Sequence, residues 1–135
     1  MSMNVTYRDD GGIVVKAEGV LSPREVFELN EKIYASPEDV RKISYQLCDF
    51  SGVTDFEGST QELAFIAKQD KSAAELNPNM LLVLVSGSDL SYGMLRMWQA
   101  FTEDSRVESK VCRSMEEAEE WLARRLQQGP GEEDE

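Results

Sequence analysis

Apolar and polar positions alternate from the start of the chain. Met3, Val5 and Tyr7 alternate with Asn4, Thr6 and Arg8, the two-residue period of a half-buried strand. Asp9-Asp10-Gly11-Gly12 has the composition of a tight hairpin turn, and Ile13-Val14-Val15-Lys16-Ala17 reads as the returning strand. The period then lengthens to that of a helix. Ser22 can cap it, Pro23 suits its first position, Glu25 completes a capping box, and Leu21 and Val26 are spaced as a hydrophobic staple. Val26, Phe27, Asn30, Ile33 and Tyr34 form its expected inner face, and Ser36-Pro37 is expected to end it.

The alternation resumes at Ile43, Tyr45 and Leu47, in a strand that runs into Asp49-Phe50-Ser51-Gly52 and then a loop to Gly58. A second helix is expected from Ser59 or Thr60 to about Glu75, with Leu63, Ile66, Ala67, Asp70, Ala73 and Ala74 on one stripe. Asn77-Pro78-Asn79 breaks it. Met80 to Val85 is apolar on both faces, as a central parallel strand is. Ser86-Gly87-Ser88-Asp89 reads as a loop and cap. Leu90, Met94, Met97, Trp98 and Phe101 then make the expected core face of a third helix. Val107 to Arg113 reads as a charged edge strand. Ser114 and Glu117 open a last helix whose expected inner stripe is Met115, Ala118, Trp121, Leu122 and Leu126. Strand and helix alternate around an apolar central strand, so the expected class is α/β. A β-hairpin leads into four successive β-α units, giving a mixed, mostly parallel five-stranded sheet with helices packed on it. One domain is expected over residues 1–128, and 129–135 reads as a disordered acidic tail.

Composition narrows the chemistry. The chain of 135 residues holds 26 acids against 14 bases and no histidine, a net charge of −12. Four of the acids lie in the tail, and the remaining twenty-two against fourteen bases leave −8 elsewhere. Nucleic acid and anionic membrane are disfavoured as partners, because phosphates would be repelled. Without histidine, Ser-His-Asp and Cys-His triads and His-ligated zinc or haem cannot form within this chain. Cys48 and Cys112 are far apart and read as reduced, buried apolar residues. No Gly-rich phosphate loop, EF-hand or Walker pattern occurs, so no cofactor or metal is expected. The longest strictly apolar run is Met80 to Val85, far short of a membrane span. With no secretion-signal pattern at the N-terminus, the expected location is the cytoplasm.

Three segments carry a family resemblance: Cys48-Asp49-Phe50-Ser51-Gly52-Val53, Tyr92-Gly93-Met94-Leu95-Arg96-Met97, and Arg113 to Leu122, which reads Arg-Ser-Met-Glu-Glu-Ala-Glu-Glu-Trp-Leu. With the hairpin and the β-α units, they resemble the SpoIIAA-like (STAS/SEC14-like) family of unknown function. The resemblance covers nearly the whole chain except the tail and implies the SpoIIAA-like, or STAS, fold. It also implies a regulatory role like that of the anti-sigma factor antagonists, in which a serine after the corresponding strand is phosphorylated. Laid on this chain from Asp49 onward, that segment falls on Glu57-Gly58-Ser59-Thr60, so Ser59 takes the phosphorylatable position.

The candidate sites follow, each with two readings. Ser59 is a regulatory serine at the mouth of a helix, or it caps that helix in a box with Glu62. Tyr92 and Arg96 share one helix face beside Gly93. They bind an anionic or carboxylate group, or Arg96 pairs with a neighbouring carboxylate while Gly93 lets the helix approach the sheet. Asp49 and Asp55 flank the expected loop, where they bind a cation or hold the loop. Met94, Met97, Trp98 and Phe101 pack as ordinary core or line a pocket for an apolar ligand.

The leading expectation is a non-enzymatic regulatory domain that presents residues 52–58, with Glu57, and the start of the second helix to a protein partner. The alternative is a small carrier or sensor of an apolar or anionic, lipid-like ligand near Tyr92 and Arg96. No stable membrane insertion is expected. A homodimer through the charged edge strand or through exposed helix faces is compatible with the pattern.

Overall fold

The structure, a computed structural model, describes residues 3–128. The tail expected to be disordered, 129–135, lies outside the described residues. Strands β1 (Met3–Tyr7), β2 (Gly12–Leu21), β3 (Tyr45–Phe56), β4 (Leu81–Ser86) and β5 (Glu108–Cys112) form one sheet in that spatial order. The β1–β2 pair is antiparallel and every later pair parallel. The helices are α1 (Pro23–Ile33), α2 (Pro37–Arg41), α3 (Thr60–Leu76), α4 (Asp89–Phe101) and α5 (Met115–Gln128). The hairpin and the four β-α units are therefore as the sequence pattern predicts.

The sheet buries two apolar faces of unequal size. On one, Ile13, Val15, Leu82 and Leu84 meet Ile33, Val40, Leu63, Ile66 and Trp98 of α1 to α4. On the other, Tyr45, Leu47, Val83 and Val85 meet Ala118 and Leu122 of α5. All six residues of β4 are buried, because helices cover both its faces.

Several elements depart from the sequence expectation. Ser36-Pro37 does not merely end a helix. Ser36 caps α2, accepting a hydrogen bond from Asp39 N, and Pro37 occupies its first turn, where a missing N–H costs nothing. Phe27, expected inside, is 37% exposed. The face of α4 departs in part from the expected stripe: Leu90 and Met97 are exposed, while Trp98 is buried as expected and Ser91 is buried beside it. In α5, Leu126 is exposed and Arg125 is buried instead. Arg125 can lie there because Glu108 of β5 accepts from its Nε and Nη2 at 2.7 and 2.8 Å, a two-pronged ion pair.

The largest correction concerns residues 52–56. They are not loop; β3 continues to Phe56 beside an extended β2. The register holds an extra β3 residue between Lys16/Asp49 and Glu18/Gly52, and another between Gly19/Val53 and Val20/Asp55. Each bulge reverses the inside–outside alternation of a strand. Their combined effect is that Gln46, Cys48, Val53 and Phe56 stand opposite Ile13, Val15, Gly19 and Leu21, all on the α1–α4 side. Without the bulges Val53 would point away from that side.

Candidate functional site

The start of α3 is fixed by local sequence. Ser59 accepts from Glu62 N at 3.1 Å, and Glu62 Oε1 accepts from Ser59 N at 2.9 Å, a complete capping box. Gly58 has no room for a side chain: a Cβ would stand 2.1 Å from the ring of Pro23. Ser59, Glu57 and Asp55 are exposed. Asp55 turns back to accept from Phe56 N at 2.8 Å. Asp49 does not join them. It is buried in β3 and accepts from Ser51 N at 2.9 Å. Asp49 and Asp55 thus lie along one strand instead of flanking a loop. Among the described residues no group of three or more His, Cys, Asp or Glu is placed to hold a metal.

The face of α4 brings together more than its own residues. The Arg113 guanidinium lies 3.9 Å from the centre of the Tyr92 ring and Arg96 lies 6.0 Å from it, so the ring has two cationic neighbours. Arg113 Nη1 also donates to Asp89 Oδ1 at 2.9 Å. Arg96 donates to the Tyr92 hydroxyl at 3.4 Å, and among the described residues no carboxylate pairs with it. The expected Arg96–carboxylate pair is therefore replaced by stacking on Tyr92, and the ion pair belongs to Arg113. Gly93 is exposed with open space where a Cβ would stand, so it brings no helix close to the sheet.

The third region was only partly legible in the sequence. Between the sheet and α1, α3 and α4 lies a cavity of about 100 Å³. Trp98 and Met94 line it as the sequence suggests, but Met97 and Phe101 do not. Cys48, Phe50, Val53 and Phe56 of β3 form one wall. At its polar end sits Asp70, 6% exposed. Its carboxylate accepts from Tyr34 Oη at 2.8 Å, Trp98 Nε1 at 2.9 Å and Asn30 Nδ2 at 3.4 Å. Burial pushes the Asp70 carboxyl up to about 6, although its hydrogen bonds from Tyr34 and Trp98 pull the other way. Burial first, then the charges of Asp70 and Asp49, pushes the Cys48 thiol up to about 12. Cys112 is raised to about 11, mainly by burial. Both thiols are thus protonated near neutral pH and are poor nucleophiles. Aliphatic spacing gives no sign of this cluster. The one available signal was Asp70 on an otherwise apolar stripe, which demands donors from elsewhere in the fold.

No family model and no curated protein matches the chain. Solved structures do. The anti-sigma factor antagonist SpoIIAA in its unphosphorylated form superposes with a TM-score of 0.62 at 10% identity, covering 91% of this chain and 98% of that one. The Bacillus cell fate determinant SpoIIAA in the phosphorylated form gives 0.58 at 14% identity, over 90% and 99%. An uncharacterized DUF3478-family protein with a SpoIIAA-like fold, from Shewanella loihica PV-4, gives 0.50 at 16%, over 90% and 92%. The chain has the SpoIIAA-like fold that its sequence resemblance implies. Among the described residues no helix is long and apolar enough to cross a membrane.

Proposed function

We propose that this SpoIIAA-like chain is a non-enzymatic regulatory domain of the cytoplasm that engages a protein partner through the end of β3 and the start of α3. The observation that carries this reading is the exposed, acid-flanked Ser59 with Asp55, Glu57 and Glu62 around it. None of these side chains is used by the core, so they are available to a partner. Their charge suits a basic surface, which would gain on-rate from electrostatic steering. The likeness to an anti-sigma factor antagonist solved in unphosphorylated and phosphorylated forms supports a regulatory role. Ser59 serves first as the α3 cap. A phosphate on it would meet the positive end of that helix but also three nearby carboxylates, which lowers its worth as a switch.

The test is a pull-down from native lysate with the unaltered chain, Glu57→Lys and Glu75→Lys. A partner lost with Glu57→Lys and kept with Glu75→Lys, whose position lies near the far end of α3, supports the reading. A partner that ignores Glu57→Lys sinks it. Intact mass of the chain and of Ser59→Ala from several growth states reads Ser59 phosphorylation, as a phosphate present on the first and absent from the second.

A further inference from the structure

The cavity between the sheet and α4 holds a polar atom that the protein itself does not satisfy. Gln46 is 3% exposed and lines this space. The Tyr34 hydroxyl gives its proton to Asp70, so it can only accept from Gln46, and Gln46 Nε2 donates to it at 2.7 Å. That bond fixes the amide orientation: the nitrogen faces Tyr34 and the oxygen faces elsewhere. Among the described residues no donor meets Gln46 Oε1. Among the described residues no fully enclosed side-chain oxygen or nitrogen lacks a partner, so this oxygen is open to a water-sized molecule in the cavity and free to accept from an occupant. The rest of the lining is mostly apolar, contributed by Leu63, Ile66, Leu84, Met94 and Trp98 among others.

We propose that this cavity is a binding site for a small, neutral, mostly apolar molecule carrying one hydrogen-bond donor, with the donor meeting Gln46 Oε1. The volume limits the occupant. An engineered apolar cavity of about 150 Å³ accepts benzene, so about 100 Å³ limits the occupant to a single ring or a short aliphatic chain at most. Charge limits it further. Both Asp70 oxygens already accept hydrogen bonds, and an anion would meet the Asp70 carboxylate at the polar end. Entry is available along β3, where Phe50, Val53 and Phe56 are only half-buried and line the cavity together with Met94 and Leu95 of α4. The cavity adjoins the partner surface at Phe56 and Leu63, but Glu57, Ser59, Tyr92 and Arg96 do not line it, so Glu57→Lys tests that surface and Val53→Trp tests the cavity.

Phenol and toluene are the probes, titrated separately into the full chain and followed by calorimetry and by Trp98 side-chain resonances. A purely apolar cavity rejects phenol, because a buried hydroxyl without a partner is penalised. A cavity holding a free acceptor takes phenol at least as tightly as toluene, with one molecule per chain. Gln46→Met, of similar volume, should shift the preference towards toluene by about tenfold. Val53→Trp, which fills the cavity from its half-buried wall, should abolish binding of both while the thermal transition stays cooperative. Absence of binding by either probe overturns the site. Unchanged affinity in a folded Val53→Trp overturns its location. Binding of toluene with rejection of phenol by the unaltered chain overturns the role of Gln46, and that comparison needs no variant to fold.

Discussion

Trp98 Nε1 donates to Asp70 Oδ2 at 2.9 Å inside the protein, tying α4 to α3 through a carboxylate that also holds Tyr34 and Asn30 of α1 and its C-terminal end. Three helices thus converge on one buried acid. Trp98→Phe keeps most of the apolar contact and deletes the donor. Thermal and urea unfolding should show a loss of about 1–3 kcal/mol. A loss well below 1 kcal/mol would mean that the bond adds little to what packing provides.

The same carboxylate predicts a pH signature. The Asp70 carboxyl titrates near 6 in the folded protein, against 3.8 for its ordinary value. The folded state therefore holds a proton that the unfolded state has already released between about pH 4 and 6. Stability from this group falls as pH rises through that window, by at most about 3 kcal/mol. Asp70→Asn removes the titration. The stability of the unaltered chain minus that of the variant should decline from pH 4 to pH 6 and then level. A flat difference would show that Asp70 titrates normally.

Ser59 can be read through its cap. Ser59→Ala should cost about 1 kcal/mol, while Ser59→Asp, which restores an N-cap acceptor, should recover most of it. Denaturant midpoints on the three proteins measure this. If alanine is neutral, the capping box does not hold α3 and the serine is free for another purpose.

Gly87 sits where β4 leaves the sheet, and a Cβ there would stand 2.5 Å from the Ser51 carbonyl oxygen in the backbone of β3. Backbone cannot swing aside as a long side chain can. Gly87→Ala should cost about 1–3 kcal/mol, whereas Gly93→Ala, in open space on α4, should stabilise by about 0.5–1 kcal/mol. Thermal melts of the pair check both signs.

Arg125 and Glu108 join α5 to the edge strand β5, with the Arg125 side chain only 9% exposed. Glu108→Ala leaves a buried guanidinium facing no Glu108 carboxylate and should cost about 2 kcal/mol. Arg125→Leu in the same background should recover part of that loss. A double-mutant cycle decides, and additive single effects would show that the two side chains are not coupled.

The sequence by itself determined the order of strands and helices, the hairpin, the Ser59 cap and the all-buried β4. These are local matters: a two-residue or helical period, a capping residue, a turn glycine. It also determined, through the missing histidines, which catalytic devices this chain cannot build. Its stripe on α4 failed at Leu90 and Met97, because a helical stripe is only as specific as the surface it meets, and the sheet beneath α4 selects Ser91 beside the expected Trp98. Only the tertiary structure decided that β3 runs to Phe56, since two bulges disguise its period and are visible only against the register of β2. It alone decided that Arg113, distant in sequence, lies on Tyr92, and that Asp70, Trp98, Tyr34 and Gln46 join one hydrogen-bond network. Contacts between distant segments leave no periodic trace along a single chain. They exist only once the strands and helices that carry them have packed.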